Sequence, residues 1–219
     1  LPFKRPAFQK EEIVIKILLI GGTGTISSAI SALAVEKGFD LYLLNRGKKS
    51  SFVPEGAKVI PADIHREADV REALKYLFIS SASAYQKPPS SPFLTESTPL
   101  SNPYWEYSRG KIACEEFLMG KYRSEGFPVT IVRPSHTYGD TSVPVALHGK
   151  NGCFSVLERI RNGRKVIVPG DGTSLWTVTH NTDFARAFVG LMGNAHALGE
   201  TYQITSDESL TWNQIYEII

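Results

Sequence analysis

The sequence predicts an α/β fold built on a doubly wound parallel sheet, with a small C-terminal lobe. Three observations predict it. Residues 13–20, IVIKILLI, have the continuous apolar pattern of a buried strand and end at Gly21 in a glycine-rich turn. A helix pattern follows directly, and a second strand pattern, DLYLLN, closes the unit at Asn45. Strand, turn, helix and strand within about thirty residues make a parallel βαβ unit, whose crossover is right-handed in nearly all proteins.

The elements follow in order. The first helix is read from Ile26, Ala29, Ile30, Leu33 and Ala34, whose spacing of three and four lays one apolar stripe along it, and Gly38 ends it. Residues 58–64, KVIPADI, read as a third strand, 68–75 as a helix fragment and 76–81, YLFISS, as a strand running into a serine-rich turn. Pro88, Pro89, Pro92, Pro99 and Pro103 punctuate a long loop. The next helix starts near Tyr104 and carries Tyr107, Lys111, Cys114 and Leu118 on one face. A strand over 129–133 stops at Pro134, which has no N–H to give to a ladder. Beyond Asp140 come a helix over 153–162, a short strand over 166–168, a PGDG turn, a helix over 182–192, a strand over 202–205 and a last helix from near Thr211. No internal repeat or low-complexity tract interrupts this order.

Length and composition limit what such a fold can be. The 219 residues, 42% hydrophobic, bury one core and a small satellite lobe. Twenty-four basic against 22 acidic side chains leave a formal charge of +2, which argues against a global nucleic-acid or membrane-surface binder. Residues 1–12, LPFKRPAFQKEE, lack a signal peptide's apolar core and read as a tag-like extension. No apolar run approaches the length of a membrane span, and a cytoplasmic protein is expected. Two cysteines, Cys114 and Cys153, supply neither a disulfide framework nor a metal cluster. The five histidines have no metal-ligand spacing, so no metal is expected.

Two constellations carry chemistry. Gly21, Gly22 and Gly24 stand between strand and helix, where absent Cβ atoms let a pyrophosphate approach backbone N–H groups at the positive end of the helix. In nicotinamide-binding folds the second strand usually ends in an acid that binds the adenosine ribose. Here Asn45 and then Arg46 follow, which removes repulsion against a 2′-phosphate and leaves NADP(H) open beside NAD(H). The second constellation is Tyr107 and Lys111, four apart on one helix face, where an ammonium can lower the phenol's pKa and still reach a cofactor ribose. Ser81 precedes them at the end of a parallel strand, the edge of an open α/β sheet where ligands bind.

With GGTGTIS, FISSASAY, YSRGK, RPSHTYG and PGDG followed by HNTDFARAF, the chain from about Val14 onward resembles the extended short-chain dehydrogenase/reductases, the NAD-dependent epimerases and dehydratases of nucleotide sugars. The resemblance implies a Rossmann-like sheet over residues 13–140 and a substrate-side lobe over 141–219, incomplete at its C-terminus, with some segments returning to the main domain. It implies Tyr107 as acid/base, Lys111 as its electrostatic partner and Ser81 as hydrogen-bond donor to the substrate oxygen. NAD(H) or NADP(H) would rest on Gly21, Gly24, Thr25, Ile26, Asn45 and Arg46, with Asp63 and Ile64 beside the adenine and Pro134 and Ser135 beside the nicotinamide. The expected activity is an epimerase or reductase moving hydride to or from a secondary alcohol or ketone carbon of a sugar-like small molecule.

The departures from the family pattern narrow this. Ser27 replaces the usual third glycine, small for small. Ala82 and Ser83 stand where dehydratases carry an Asp-Glu pair, which argues against dehydration by that route. His136 and Trp176 replace an asparagine and an arginine that usually meet the substrate diphosphate, which argues against an ordinary nucleotide sugar. Ser83, His136 and Trp176 are the substrate-side candidates. An alternative from another class stays open, because some members of the superfamily, chloroplast stem-loop RNA-binding proteins among them, keep the fold and bind RNA or act as sensors. The basic run Arg159, Arg161, Arg164 and Lys165 motivates it, although it reads first as a solvated helix face. Cys114 reads as core packing. The Tyr107 helix, a common dimer face in the superfamily, leaves a homodimer open. Between Asp63 and Phe78 the chain is too short for the helix, strand and crossover helix that a doubly wound sheet needs there, so a discontinuity is expected near Lys75 and Tyr76.

Overall fold

A computed structural model describes residues 16–20, 24–45, 52–61 and 76–219. Strand β1 (Lys16–Ile20) lies parallel to β2 (Asp40–Asn45), and β2 parallel to β3 (Lys58–Pro61), in the order β1-β2-β3. Between β1 and β2 the chain crosses over through α1 (Thr25–Glu36), which is the parallel βαβ unit read from the sequence. Ser27 Oγ accepts a hydrogen bond from the Gly24 N–H at 2.9 Å and so steadies the helix start. At the other end Gly38 takes φ +78°, a left-handed conformation that glycine adopts without a Cβ penalty.

A second parallel sheet has the order β4-β5-β9, from β4 (Tyr76–Ile79), β5 (Val129–Pro134) and β9 (Thr201–Ile204). Every residue of β5 is buried, as expected of a central parallel strand covered on both faces. Its alternation assigns the faces. Val132 joins a core with Ile30 of α1 and Phe184 and Phe188 of α4 (Asn181–Leu191). Arg133, one residue on, points to the opposite face and meets α2 (Glu106–Glu125). That core also takes Ile17 and Leu19 from β1 and Leu77 and Ile79 from β4, so α1 and α4 cover both sheets with one apolar layer.

The C-terminal third adds short pieces. Strand β6 (His136–Tyr138) pairs parallel with β8 (Val178–His180), and β7 (Leu175–Trp176) antiparallel with β10 (Leu210–Thr211). Helices α3 (Phe154–Arg161) and α5 (Trp212–Ile218) enclose a small cluster of Val145, Cys153 and Val156, with Ile160, Val166 and Tyr216 packed on it. The α4 helix and β9 return to the larger part of the fold.

Several expectations need correction. Residues 166–168 form no strand: the Arg159 guanidinium donates to the Lys165 carbonyl at 2.8 and 3.1 Å, and the Tyr216 hydroxyl to that of Ile167 at 3.3 Å, so side chains rather than a ladder hold this segment. Helix α2 starts at Glu106 rather than near Tyr104, because Asn102 Oδ1 captures the Tyr104 N–H in a turn and Trp105 is still extended. Cys114 is exposed and not in the core, since its part of the α2 face opens on a cleft. Residues 13–15 and 62–64 of the first and third strands, the 68–75 helix and the junction at Lys75 and Tyr76 lie outside the described residues.

Candidate active site

The site forms where parallel strands end. The β4 ladder runs on to Ser80, whose N–H donates to the Val132 carbonyl at 2.7 Å. Ser81 is extended and caps a single turn over Ala82–Ala84, its Oγ accepting the Ser83 N–H at 3.1 Å. Ser83 is held from both sides, its Oγ 2.9 Å from Ser81 Oγ and accepting from Ser108 Oγ of α2 at 2.9 Å. Tyr107, at the start of α2, is 48% exposed, with its phenol close to the Ser81 hydroxyl. One turn on, Lys111 Nζ donates to the Ile79 carbonyl at 2.8 Å and lies 4.9 Å from the Phe78 ring centre and 5.5 Å from that of Tyr107. Ser81, Ser83, Tyr107 and Lys111 thus meet at one strand end, beside an open cleft walled by Phe78, Trp105, Tyr107 and Cys114.

Burial governs the protonation of both titrating groups. It raises the Tyr107 phenol above its ordinary 10.0, with the Ser81 hydrogen bond pulling the other way. Burial lowers the Lys111 amine below its ordinary 10.5, opposed by Cys114 and Glu115. The expected lowering of the phenol's pKa by Lys111 is thus corrected: burial raises it, so the phenol is a proton donor at neutral pH, beside a lysine whose charge burial opposes.

A second group of candidates gathers at the start of α1. Gly24 caps the helix in an extended conformation, and the first backbone bond back to it comes from Ser28 at 2.8 Å. By helix geometry the N–H groups of Thr25, Ile26 and Ser27 point off the end toward the carboxyl edge of β1. The Ile26 side chain packs into the core, so its backbone faces this end. Asn181 Nδ2 donates to the Thr25 carbonyl at 3.0 Å, and Thr25 Oγ1 lies 3.1 Å from Thr141 Oγ1. Asn45 ends β2, half-buried. Free first-turn amides at a strand-to-helix turn fit the phosphates of a dinucleotide. Gly21, Gly22, Arg46, Asp63 and Ile64 lie outside the described residues.

The remaining candidates stand in the C-terminal third. Pro134 closes β5, and Ser135 Oγ donates to the Thr177 carbonyl and meets Thr205 Oγ1, both at 3.0 Å. His136 and Trp176 share one aromatic cluster, their rings 6.0 and 5.4 Å from that of Trp212. Burial holds the His136 imidazole below 6.5. Asn181, Thr141, Glu115 and Arg133 were not singled out from the sequence. An arginine inside the otherwise apolar β5 was the signal that could have found the last two. No cluster of three or more metal-ligating side chains occurs among the described residues. No helix among them is long and apolar enough to cross a membrane.

Parallel three-stranded sheets covered by helices, with a glycine-capped helix after the first strand and hydroxyls grouped at the carboxyl strand ends, define the Rossmann-like α/β class. The chain belongs to the NAD dependent epimerase/dehydratase family, whose sequence model matches residues 60–205. A curated relative from Arabidopsis thaliana, the chloroplast stem-loop binding protein of 41 kDa b, is 27% identical over 243 aligned positions; these cover 90% of this chain, which spans only 60% of that protein's length. Among solved structures, the dTDP-glucose 4,6-dehydratase of Bacillus anthracis in complex with NAD superposes with a TM-score of 0.76 at 19% identity, over 94% of this chain and 80% of that one. The UDP-glucose 4-epimerase of Thermotoga maritima with UDP-glucose superposes with a TM-score of 0.76 at 21% identity, over 93% and 81%. At these identities the two structures establish the fold.

Proposed function

We propose that the protein is an NAD(P)-dependent epimerase or reductase that moves hydride to or from a secondary alcohol or ketone carbon of a sugar-like small molecule. The observation that carries this reading is the grouping of Ser81, Tyr107 and Lys111 at the end of β4, the Tyr107 phenol beside the Ser81 hydroxyl and Lys111 Nζ anchored on the Ile79 carbonyl. The dinucleotide, when bound, supplies or accepts the hydride. The chain's own residues handle the proton. On reduction the Tyr107 phenol gives its proton to the substrate oxygen while Ser81 Oγ donates a hydrogen bond to it; on oxidation the phenolate takes that proton back. The Lys111 ammonium stabilises the phenolate.

Gly24, Thr25 and Ile26 present the α1 amides to the pyrophosphate, with Gly21 completing the turn. Asn45, Arg46, Asp63 and Ile64 form the adenosine side, and Pro134 and Ser135 the nicotinamide side. Ser83, His136 and Trp176 face the substrate. Structurally similar proteins were solved with NAD and with UDP-glucose, which supports a dinucleotide cofactor and a sugar-like substrate, while His136 and Trp176 argue against an ordinary nucleotide sugar. Titration of NAD(H) and NADP(H) against the protein and Arg46→Ala separates the two cofactors, a 2′-phosphate preference being lost in the variant.

The test is Tyr107→Phe. Turnover is expected to fall about 10²- to 10⁴-fold while dinucleotide affinity, measured by calorimetry, stays unchanged. Unaltered turnover in Tyr107→Phe refutes the reading. Net consumption of reduced cofactor marks a reductase, and its absence an epimerase. A second reading, RNA binding without turnover, is favoured by the name of the Arabidopsis relative and by the exposed Arg159, Arg161, Arg164 and Lys165. Salt-dependent binding of a stem-loop RNA, indifferent to Tyr107→Phe and lost when these four are neutralised, supports it.

A further inference from the structure

Glu115 lies one turn past Lys111 on α2, and its side chain is 3% exposed. Arg133 of β5, 6% exposed, engages it in a forked pair: Nη2 donates to Oε2 at 2.6 Å, and Nε lies 3.1 Å from Oε1 and 3.2 Å from Oε2. Ser80 Oγ donates to the same carboxylate. The other arm of the guanidinium, Nη1, donates to the Glu96 carbonyl at 3.1 Å, and the group stacks 4.9 Å from the Tyr85 ring centre. Glu96 in turn accepts the Gln203 N–H of β9 at 2.8 Å.

Stability alone does not account for the pair, because two charges taken out of water lose about as much in hydration as they recover from each other, and apolar residues of equal volume serve as well. What distinguishes it is its surroundings. Ser80 precedes Ser81, Glu115 follows Lys111 by one turn, and the Lys111 anchor is the Ile79 carbonyl, next to Ser80. The pair therefore ties α2 to β5 and, through the Ser80 hydroxyl, to the end of β4, at the level where the proposed catalytic groups stand.

We propose that Glu115 and Arg133 are positioning residues, locking α2 onto the end of β4 so that the Lys111 ammonium stays anchored beside Tyr107 and Ser81 stays in register with both. This rests on the functional reading above. The groups facing Lys111 are Tyr107, Cys114 and Glu115 on its own helix, the Ile79 carbonyl and the Phe78 ring from β4, and, behind Glu115, Arg133 from β5 with Tyr85 and Glu96 from the loop. Cys114 and, after it, Glu115 are what oppose burial in setting the Lys111 charge. Glu115→Gln removes that support and leaves the Arg133 cation uncompensated, so the Lys111 amine loses its proton at lower pH.

The test reads Lys111 directly, in the full chain without cofactor, as the pH dependence of its acetylation by acetic anhydride, followed by mass spectrometry with Lys121 on the same helix as internal reference. In Glu115→Gln the Lys111 midpoint is expected about one pH unit lower, a tenfold gain in reactive amine at a fixed pH below it, with Lys121 unchanged. Ser80→Ala keeps both charges and covers the case in which Glu115→Gln does not fold: Lys111 labelling at pH 8 is expected to rise several-fold as its anchor loosens. An unmoved Lys111 in the variant that folds, or Lys111 and Lys121 rising together as in general loosening, overturns the proposal. Because no turnover is needed, these outcomes stand whether or not the enzyme reading survives Tyr107→Phe.

Discussion

A single imidazole gives this protein a readable pH response. His136 is held below its ordinary 6.5 by burial, and the neighbouring His148 acts in the same direction. The unfolded chain thus binds a proton at His136 more readily than the folded one. Stability contributed by the neutral ring is complete above pH 6.5 and is lost as pH falls from there toward the lower folded value. The melting temperature of the wild type is expected to decline over pH 7 to 5 more steeply than that of His136→Phe, which keeps a ring against Trp212; equal slopes would refute this. The same scale separates what was legible from what was not. Ser81, Tyr107 and Lys111 could be found because their residue types and spacing are tied to chemistry. Glu115 and Arg133 carried only a weaker signal, the arginine inside the apolar VTIVRP strand, because EEF reads as helix surface and nothing in sequence order says that positions 115 and 133 meet. Cys114 was misassigned for the converse reason: a helix face that borders an open cleft is exposed to solvent, and periodicity does not distinguish it from a core face.

Among elements, the junction of α1 and α4 bears most directly on the proposed cofactor site. Asn181 at the head of α4 bonds the Thr25 carbonyl, and Gly139 lies against the same side chain, such that a Cβ on Gly139 would stand 2.5 Å from Asn181 Nδ2. Gly139→Ala must push Asn181 off Thr25 and loosen the first turn of α1. Loss of one such hydrogen bond is worth about 1 kcal/mol, roughly fivefold in affinity. Calorimetric titration of dinucleotide is expected to show that weakening in both Gly139→Ala and Asn181→Ala, with the double variant no worse than either; additive losses would disconnect the two residues. The longer elements were legible because strand and helix periods repeat over them. β6, β7, β8 and β10 span two or three residues, too few for any period, and are defined by tertiary pairing alone. At 166–168 the error ran the other way: a β-branched triplet has its Ile167 carbonyl taken by a tyrosine hydroxyl and the Lys165 carbonyl just before it taken by an arginine.

At the scale of the whole molecule, β1 and β4 each end their sheet among the described residues, yet Ile17 and Leu19 of one and Leu77 and Ile79 of the other face the same core. The expected discontinuity near Lys75 and Tyr76 bears on this arrangement, and Lys75 lies outside the described residues. The alignment to the Arabidopsis relative, at 243 positions, is longer than the chain itself, so that protein carries residues with no counterpart here. What joins the two sheets in this chain is the layer of α1 and α4. Phe184 and Phe188 are fully buried and stacked, their ring centres 5.8 Å apart, and with Ile30 and Val132 they form the part of the core both sheets share. Truncating Phe188 to alanine removes a whole ring from a site walled by two helices and two sheets, for which about 3–5 kcal/mol is the usual loss. Because the layer is common, that loss should appear in both sheets at once. Amide exchange in Phe188→Ala is expected to accelerate to the same degree in β2 and in β5, and chemical denaturation to remain one transition at a lower midpoint. Exchange that accelerates only in the β4-β5-β9 sheet, or a transition that splits in two, would mean that each sheet is stabilised on its own and that the α1–α4 layer does not couple them.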